Sequence, residues 1–140
     1  MQFAVYSSPM AWSSYEDLDV FKKAYAFALG VHRLTATFPK EELYSLTSQI
    51  RRSSKSVCAN IVEGHGKSYN SPREFFRFLN MSLGSVDETK LWLKFAVDLG
   101  YLSQEDWISM NKECIDIARM LHGLMKSLNS QSPKTANSKL

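Results

Sequence analysis

The placement of four prolines limits the possible folds of this chain more strongly than any other pattern in its sequence. Pro9, Pro39, Pro72 and Pro133 lie where a helix could begin or has not begun, and none interrupts a long periodic segment. Because proline breaks a helix interior, the stretches between these residues can form long helices. The length of 140 residues suits one domain with a single core.

Three segments have the residue pattern of a helix N-terminus. Ser14, Ser71 and Ser103 each precede an acidic residue by three positions, so the serine caps the helix and the acid lies near free N–H groups. The pattern predicts a first helix from Ser14 that ends at Phe38-Pro39. A second helix follows Pro39 and stops at Gly64 and Gly66, the third runs to Gly100, and the fourth starts after Ser103.

Apolar residues recur at spacings of three and four in all four segments, which predicts amphipathic helices. The expected core residues are Leu18, Phe21, Tyr25, Ala28, Leu29 and His32 in the first helix, Leu43, Leu46, Ile50, Val57 and Ile61 with Ser53 and Ser54 in the second, Phe75, Phe78, Leu79, Ser82, Val86, Leu93 and Val97 in the third, and Trp107, Met110, Cys114, Ile117, Leu121, Leu124 and Leu128 in the fourth. Short connections between the helices favour an all-α, antiparallel up-down-up-down four-helix bundle.

The predicted starts and ends of the helices divide the chain into three parts. We expect an N-terminal extension at residues 1–13, a single bundle domain at 14–128 and a disordered tail at 129–140, which is rich in Ser, Asn and Lys. The first fourteen residues lack the features of a secretory signal, and the longest apolar run is too short to span a bilayer. A cytoplasmic location, with no membrane partner, is expected by elimination.

A second stripe follows the third helix on a different face from its core residues. Its members are Met81, Ser85, Glu88, Trp92, Phe95 and Leu99. One interpretation is that the stripe contacts a second helix of the same bundle, and the other is that it forms a subunit interface. The second helix carries a line of small residues between two charges, namely Arg52, Ser56, Ala59 and Glu63. We expect Arg52 and Glu88, together with Glu63, to form a polar cluster across a helix or subunit contact.

The charge pattern offers a candidate nucleic-acid surface. The formal net charge is only +3, but the region between Arg51 and Arg77 leans positive. The residues that could contact phosphates are Arg51, Lys55, Lys67, Arg73 and Arg77. The alternative is an ordinary solvated helix face.

No catalytic, cofactor-binding or metal-binding pattern emerges from the sequence. Gly66-Lys67-Ser68 lacks the earlier glycine of a phosphate-binding loop, and no Glu precedes a His by three residues, as a di-iron bundle requires. Cys58 and Cys114 are expected to be reduced, buried thiols, and His65 an exposed turn residue. We therefore predict no catalytic residue, no cofactor and no small-molecule substrate.

The segment from Gln49 to Gly64, read together with several shorter motifs, resembles a known family. The further motifs are Phe38-Pro39, Glu42, Leu46-Thr47, Phe75 to Leu79, Gly84-Ser85, Glu88 and Leu99-Gly100-Tyr101-Leu102. Over roughly Leu18 to Leu128 the chain is similar to the four-helix bundle protein family, also called the 23S rRNA intervening-sequence protein family. Two positions depart from the family pattern, since Lys55 replaces a typically apolar residue and Cys58 stands where proline is common.

The resemblance implies a left-handed antiparallel bundle that assembles as a ring-shaped homopentamer. Some members are encoded inside intervening sequences of ribosomal RNA genes. A related branch, the accessory variability determinant of diversity-generating retroelements, binds nucleic acid and a reverse transcriptase through a basic surface. No catalytic residues come with the family.

Taken together, the residues and the resemblance predict a non-enzymatic, homo-oligomeric bundle that acts as an interaction scaffold. Its expected partners are other copies of itself, together with RNA or an RNA-associated protein. The alternative is a protein-binding adaptor with no nucleic-acid role, in which the basic residues serve only solubility and internal ion pairs.

Overall fold

A computed structural model describes residues 14–130, which form four α-helices and contain no strand. The helices are α1 (Asp19–Leu34), α2 (Leu46–Lys67), α3 (Pro72–Asp98) and α4 (Gln104–Ser130). The all-α prediction is confirmed, and the left-handed twist and full up-down-up-down order remain predictions. The extension at 1–13 and tail residues 131–140 lie outside the described residues, and α4 continues two residues beyond the expected Leu128.

Two of the three predicted serine caps begin the helices assigned to them. The Ser71 Oγ accepts a hydrogen bond from the Glu74 N–H at 3.1 Å, and the Ser103 Oγ accepts one from the Asp106 N–H at 3.0 Å. Ser14 instead caps a 3-10 turn at Tyr15–Asp17. Leu18 is extended after this turn, so α1 begins at Asp19 and the predicted start at Ser14 was wrong.

The connection from α1 to α2 is longer than predicted. Residues 35–45 contain two 3-10 turns, and α2 begins at Leu46 rather than directly after Pro39. The Glu42 carboxylate accepts hydrogen bonds from the Leu46 N–H at 3.2 Å and from the Tyr101 hydroxyl at 2.8 Å. Glu42 thereby caps α2 and ties this connection to the one between α3 and α4. Leu43, predicted as core, is exposed because it lies in this connection.

The core of α1 is built on a different stripe from the predicted one. Val20, Ala24, Phe27, Ala28 and Val31 are buried, and most of them join a core cluster with residues of α2, α3 and α4. The predicted stripe is mostly outside this core: Phe21 is partly buried, and Tyr25, Leu29 and His32 are exposed. Both stripes have helical spacing. Periodicity alone could not choose between them.

The remaining core predictions hold at most positions of α2, α3 and α4. Ser53 and Ser54 are buried as expected, whereas Val97, Trp107, Met110 and Leu124 are only partly buried. Thr89 and Ala96 of α3 are buried in addition.

Hydroxyl groups join α2 and α3 along a narrow seam. The Ser82 Oγ donates to the Val57 carbonyl at 2.8 Å, and the Thr89 Oγ1 lies 2.8 Å from the Ser53 Oγ. Val57 of α2 contacts Ser82 of α3, whereas the earlier Ser53 contacts the later Thr89. The two helices therefore run antiparallel. Small side chains at these positions allow close approach and leave the buried hydroxyls hydrogen-bonded.

Gly64 allows this close approach at the far end of the seam. A Cβ placed on Gly64 would lie 2.7 Å from the Phe78 Cβ and 2.9 Å from the Phe75 Cδ1. The helix also continues past Gly64 and Gly66 to Lys67, so the predicted stop was wrong. These two glycines do not end α2, because their backbone keeps the helical conformation, and α3 packs where a side chain of residue 64 would otherwise lie.

His65 is buried rather than exposed in a turn, which corrects the expectation from the sequence. It lies inside α2, with its ring centroid 6.0 to 6.4 Å from those of Tyr15, Tyr69 and Phe75. The glycines on both sides suggested a turn, but the close packing of α2 against α3 keeps this part of the chain helical.

Replacing Thr89 with valine should lower the free energy of unfolding by about 1 kcal/mol, because a buried hydroxyl loses its bonds to the Ser53 Oγ and the Ser85 carbonyl. Urea unfolding measures this change. The matched control is Thr37→Val, whose hydroxyl bonds to a carbonyl at an exposed site. Equal stabilities of the two variants would contradict a role for the seam.

Candidate interaction surfaces

The second stripe of α3 divides into residues that contact α2 and residues that face outward. The Ser85 Oγ donates to the Ser56 Oγ at 2.9 Å, and the Glu88 carboxylate pairs with the Arg52 guanidinium. The Trp92 Nε1 also donates to Glu88, at 3.2 Å. The expected Arg52–Glu88 cluster therefore exists inside one chain.

The outer part of the stripe remains uncovered in the single chain. Phe95 is 49% exposed and Leu99 is 53% exposed, and the half-buried Trp92 lies beside them. We call these three residues the α3 ridge. Met81 is also exposed, nearer the start of the helix.

Three members of the predicted α2 line, Arg52, Ala59 and Glu63, are exposed. The pKa of the Arg77 guanidinium is raised chiefly by its hydrogen bond to Glu74, with a smaller contribution from Glu63. The expectation that Glu63 joins the Arg52–Glu88 cluster therefore finds no support in the contacts of the described residues. Whether these residues form a subunit interface stays a prediction.

A shallow groove borders the α3 ridge and runs towards the start of α2, where most of its lining residues are polar. Its lining residues are Glu42, Ser45, Leu46, Gln49, Trp92, Phe95 and Leu99. Tyr44, which precedes the lining residue Ser45, is 91% exposed. Helical periodicity could not reveal this part of the surface, because Tyr44 lies in the connection before α2 and not on a helix.

A second apolar surface lies between α1 and α2, and the sequence did not indicate it. Tyr25, 53% exposed, and Leu29, 40% exposed, belong to the stripe of α1 that the core does not use. We call this surface the α1–α2 groove, and its lining residues are Tyr25, Ala28, Leu29, His32, Lys55 and Cys58.

Neither cysteine has the properties of a nucleophile. Cys58 is partly buried and Cys114 is buried, and both thiols are free. Burial raises the pKa of the Cys58 thiol to about 11 and that of the Cys114 thiol to about 12, so both stay protonated near neutral pH. Cys58 was expected to be buried, but the space between α1 and α2 leaves it partly accessible.

The five basic residues predicted to contact phosphates do not form one patch. Arg51 points to the end of α1, where its Nε donates to the Thr35 Oγ1 at 2.8 Å and its Nη2 to the His32 carbonyl at 3.2 Å. This guanidinium caps the carbonyl end of α1 and supports the fold. Lys55 lies one turn further along α2, beside the α1–α2 groove.

The other three basic residues gather where α2 turns into α3. The Arg77 guanidinium bonds to the Glu74 carboxylate at 3.1 Å and lies 4.8 Å from the Phe78 ring centroid, with the Lys67 ammonium 5.8 Å from the same centroid. Arg73 is exposed next to them. Among the five, Lys55, Lys67 and Arg73 form no salt bridge with an acid of residues 14–130 and, unlike Arg51, do not cap a helix end.

A cleft of about 540 Å³ lies between the start of α3 and the end of α4. It contains Arg73, Glu74 and Arg77. The hydrogen bond from Arg77 lowers the pKa of the Glu74 carboxyl, so this acid is ionised and compensated at neutral pH. The cleft holds an ion pair and no group suited to proton transfer near neutral pH.

The described part of the chain offers neither a metal site nor a membrane-spanning helix. No group of three or more His, Cys, Asp or Glu side chains in residues 14–130 could hold a metal ion. None of the four helices is both long and apolar enough to cross a membrane.

The comparison with curated proteins found no match. Among solved structures, the chain is similar to a protein with unknown function from the S23 ribosomal protein family of Bacteroides thetaiotaomicron VPI-5482, with 29% identity and a TM-score of 0.69. That match covers 76% of this chain and 95% of the other. Residues 16–123 match the family described as the 23S rRNA-intervening sequence protein. Because this match extends over most of the four-helix bundle, the chain belongs to the 23S rRNA-intervening sequence protein family.

Proposed function

We propose that this protein is a non-enzymatic, homo-oligomeric helical bundle that acts as an interaction scaffold in the cytoplasm, with RNA or an RNA-associated protein as its partner. The exposed α3 ridge is the observation that carries the proposal. Phe95 in α3 and Leu99, the residue that caps its end, are large exposed apolar side chains, and Trp92 lies beside them. Clusters of this kind on a soluble surface are typical of protein interfaces.

Burial of the ridge would supply part of the free energy of assembly. Removing apolar surface from water contributes roughly 25 cal/mol per Å², and aromatic side chains dominate such contacts. The family resemblance suggests five copies, which would give a particle of five times the 16.0 kDa mass of one chain. The mass of the native particle is therefore the first test of the scaffold.

The cleft between α3 and α4 has no group suited to proton transfer near neutral pH, and neither cysteine is a nucleophile, which favours a non-enzymatic role. Both cysteine thiols are protonated near neutral pH, and Glu74 is compensated by Arg77. A scaffold needs only surfaces, and residues 14–130 offer the α3 ridge and the α1–α2 groove.

RNA is proposed as a partner because Lys55, Lys67 and Arg73 are exposed and have no salt bridge inside the described bundle. Contacts between such residues and phosphates release counterions, so the affinity falls steeply with salt. The name of the matched family also refers to ribosomal RNA, although it describes a gene setting and not a binding activity.

Replacing Lys67 and Arg73 together with alanine should weaken RNA binding and reduce its dependence on salt, and it leaves the α1–α2 groove beside Lys55 unchanged. Each lost phosphate contact flattens the slope of log affinity against log salt by about 0.7 for single strands, so two contacts give a change of about 1.4. Fluorescence anisotropy with a single-stranded RNA over a salt series measures both quantities.

The matched control replaces two exposed lysines elsewhere, Lys40 and Lys126, which also form no salt bridge within residues 14–130, and removes the same charge. If this control weakened binding as much as the first variant, the binding would reflect net charge and not the proposed residues. If the wild-type protein bound no RNA at low salt, the RNA part of the proposal would fall. The adaptor alternative would then be preferred, as the internal roles of Arg51 and Arg77 already favour it.

A further inference from the structure

The α1–α2 groove exposes two large apolar side chains that neither the core nor the α3 ridge uses. Tyr25 and Leu29 are separated by one helical turn on α1, and Cys58 lines the groove from α2. The groove has an apolar centre with Lys55 and His32 among its lining residues. An apolar centre with polar groups around it is the usual layout of a protein interface.

The helix segments that form this groove are strongly basic. Residues 22–33 and 51–62 contain six basic residues and no acid, namely Lys22, Lys23, Arg33, Arg51, Arg52 and Lys55. Lys23 pairs with Glu113 and Arg52 pairs with Glu88, which leaves a net positive surface. An occupant of the groove should therefore be apolar at its centre and acidic at its edges.

The α3 ridge has this composition. The segments around it, residues 40–46 and 87–99, contain five acids and three lysines, of which Glu88 pairs with Arg52 and Asp98 pairs with Lys94 inside the chain. The remaining charges are Lys40 and Lys90 against Glu41, Glu42 and Asp87, a balance of 2 minus 3, or −1. The ridge presents Phe95 and Leu99 one turn apart on a helix, which is the shape that packs into a groove between two other helices.

We propose that the α1–α2 groove of one copy receives the α3 ridge of a second copy. This inference rests on the proposed homo-oligomer and specifies how its copies meet. In the assembled protein Lys55 then lies against the second copy, and Lys67 and Arg73 remain the residues open to RNA. Because the two surfaces are different parts of the same chain, the contact is head-to-tail. Repetition of such a contact closes a ring when the rotation between copies allows it and otherwise builds an open chain. A two-fold symmetric pair of α3 ridges is a different arrangement and leaves the groove empty.

Two double variants test this arrangement. The groove variant carries Tyr25→Asp and Leu29→Asp, and the ridge variant carries Phe95→Asp and Leu99→Asp. All four positions are exposed, so the fold should survive, and circular dichroism checks the helix content. We expect each variant alone to have the mass of one chain, 16.0 kDa, by gel filtration with light scattering.

The mixture of the two variants gives the decisive result. The groove variant keeps an intact ridge and the ridge variant keeps an intact groove, so one good contact remains per pair. The mixture should form a heterodimer with twice the 16.0 kDa mass of one chain, and no larger particle. A mixture that stays at 16.0 kDa over a concentration series would overturn the proposed pairing.

The outcomes separate this inference from the proposed function. If the wild-type protein is itself a single chain, the homo-oligomer fails, and the inference fails with it. If the wild type assembles and the groove variant assembles equally well, only the groove inference fails. It also fails alone if the groove variant assembles but loses RNA binding, because the groove would then belong to RNA. The control is Ile108→Asp, an exposed apolar residue of α4 outside both surfaces, which should leave the mass unchanged.

Cys58 provides an independent readout that does not depend on mass. Its thiol lines the groove, whereas Cys114 is buried in the core. Reaction with a thiol reagent at one fixed pH should be several-fold faster in the ridge variant than in the wild type, because the ridge no longer covers the groove. Cys58→Ser identifies which thiol reacts. Equal rates in an assembled wild type and the ridge variant would contradict the inference.

Discussion

Gly64→Ala should lower the free energy of unfolding by about 2 kcal/mol, the balance between an overpacked contact and a better helix former. The added Cβ would lie 2.7 Å from the Phe78 Cβ, an atom that cannot move without the α3 backbone. Forcing a methyl group into such a packed site costs about 3 kcal/mol, and the helix propensity of alanine returns about 1 kcal/mol. Thermal or urea unfolding measures the difference, which corresponds to a fall in Tm of roughly 8 °C for a domain of this size.

Gly123→Ala is the matched control for this variant. Gly123 is also inside a helix, but a Cβ there would have no neighbour within 4 Å. Its replacement should raise the free energy of unfolding by up to about 1 kcal/mol through helix propensity alone. If both variants gained stability equally, the close approach of α2 and α3 at Gly64 would be refuted.

Arg51→Ala should lower the free energy of unfolding by about 2 kcal/mol through the loss of hydrogen bonds from a charged donor, with no specific effect on RNA binding. The guanidinium donates to the Thr35 Oγ1 and to the His32 carbonyl at the end of α1. Such bonds contribute about 1.5 to 3 kcal/mol, and partial exposure keeps the combined loss near the lower part of that range. Urea unfolding gives the stability, and anisotropy with RNA gives the affinity.

Lys55→Ala is the matched control, because Lys55 is one turn away and exposed. It should leave stability within about 0.5 kcal/mol of the wild type, as is usual for surface substitutions. A stable Arg51→Ala protein with weakened RNA binding would restore Arg51 to the phosphate-contacting set and contradict its role as a cap.

The sequence was informative where a single local pattern decides the outcome. Ser71 and Ser103 begin α3 and α4 because their hydroxyls cap N–H groups only three residues away. The pairing of Arg52 with Glu88 was also predictable, since both charges lie on the stripes through which α2 and α3 meet.

Long-range packing explains the predictions that were wrong. α1 carries two stripes with the same spacing, and only contacts with α2 and α4 select the one containing Val31. Gly64 and Gly66 have the composition of a helix end, but the fit of α3 against Gly64 decides that α2 continues. Arg51 was grouped with the phosphate-contacting residues because the sequence does not show that it caps α1. Its distance from the end of α1 depends on how the connection between α1 and α2 folds.

The two candidate surfaces differ in how far the sequence could predict them. The α3 ridge was visible as a second stripe because it lies on one helix. The α1–α2 groove was not, because it combines residues from two helices, and its largest side chains, Tyr25 and Leu29, had been assigned to the core. Both side chains are exposed in the folded chain, so they belong to a surface and not to the core.

The mass of the native wild-type particle decides whether this bundle is one copy in a larger assembly. Gel filtration with light scattering over a range of concentrations and salt provides that mass. We expect a stable particle whose mass is a multiple of 16.0 kDa. If the protein forms the homopentameric ring that the family resemblance suggests, the mass is five times that of one chain. A particle of 16.0 kDa at every concentration would contradict the assembly, because the α3 ridge and the α1–α2 groove would then both face water.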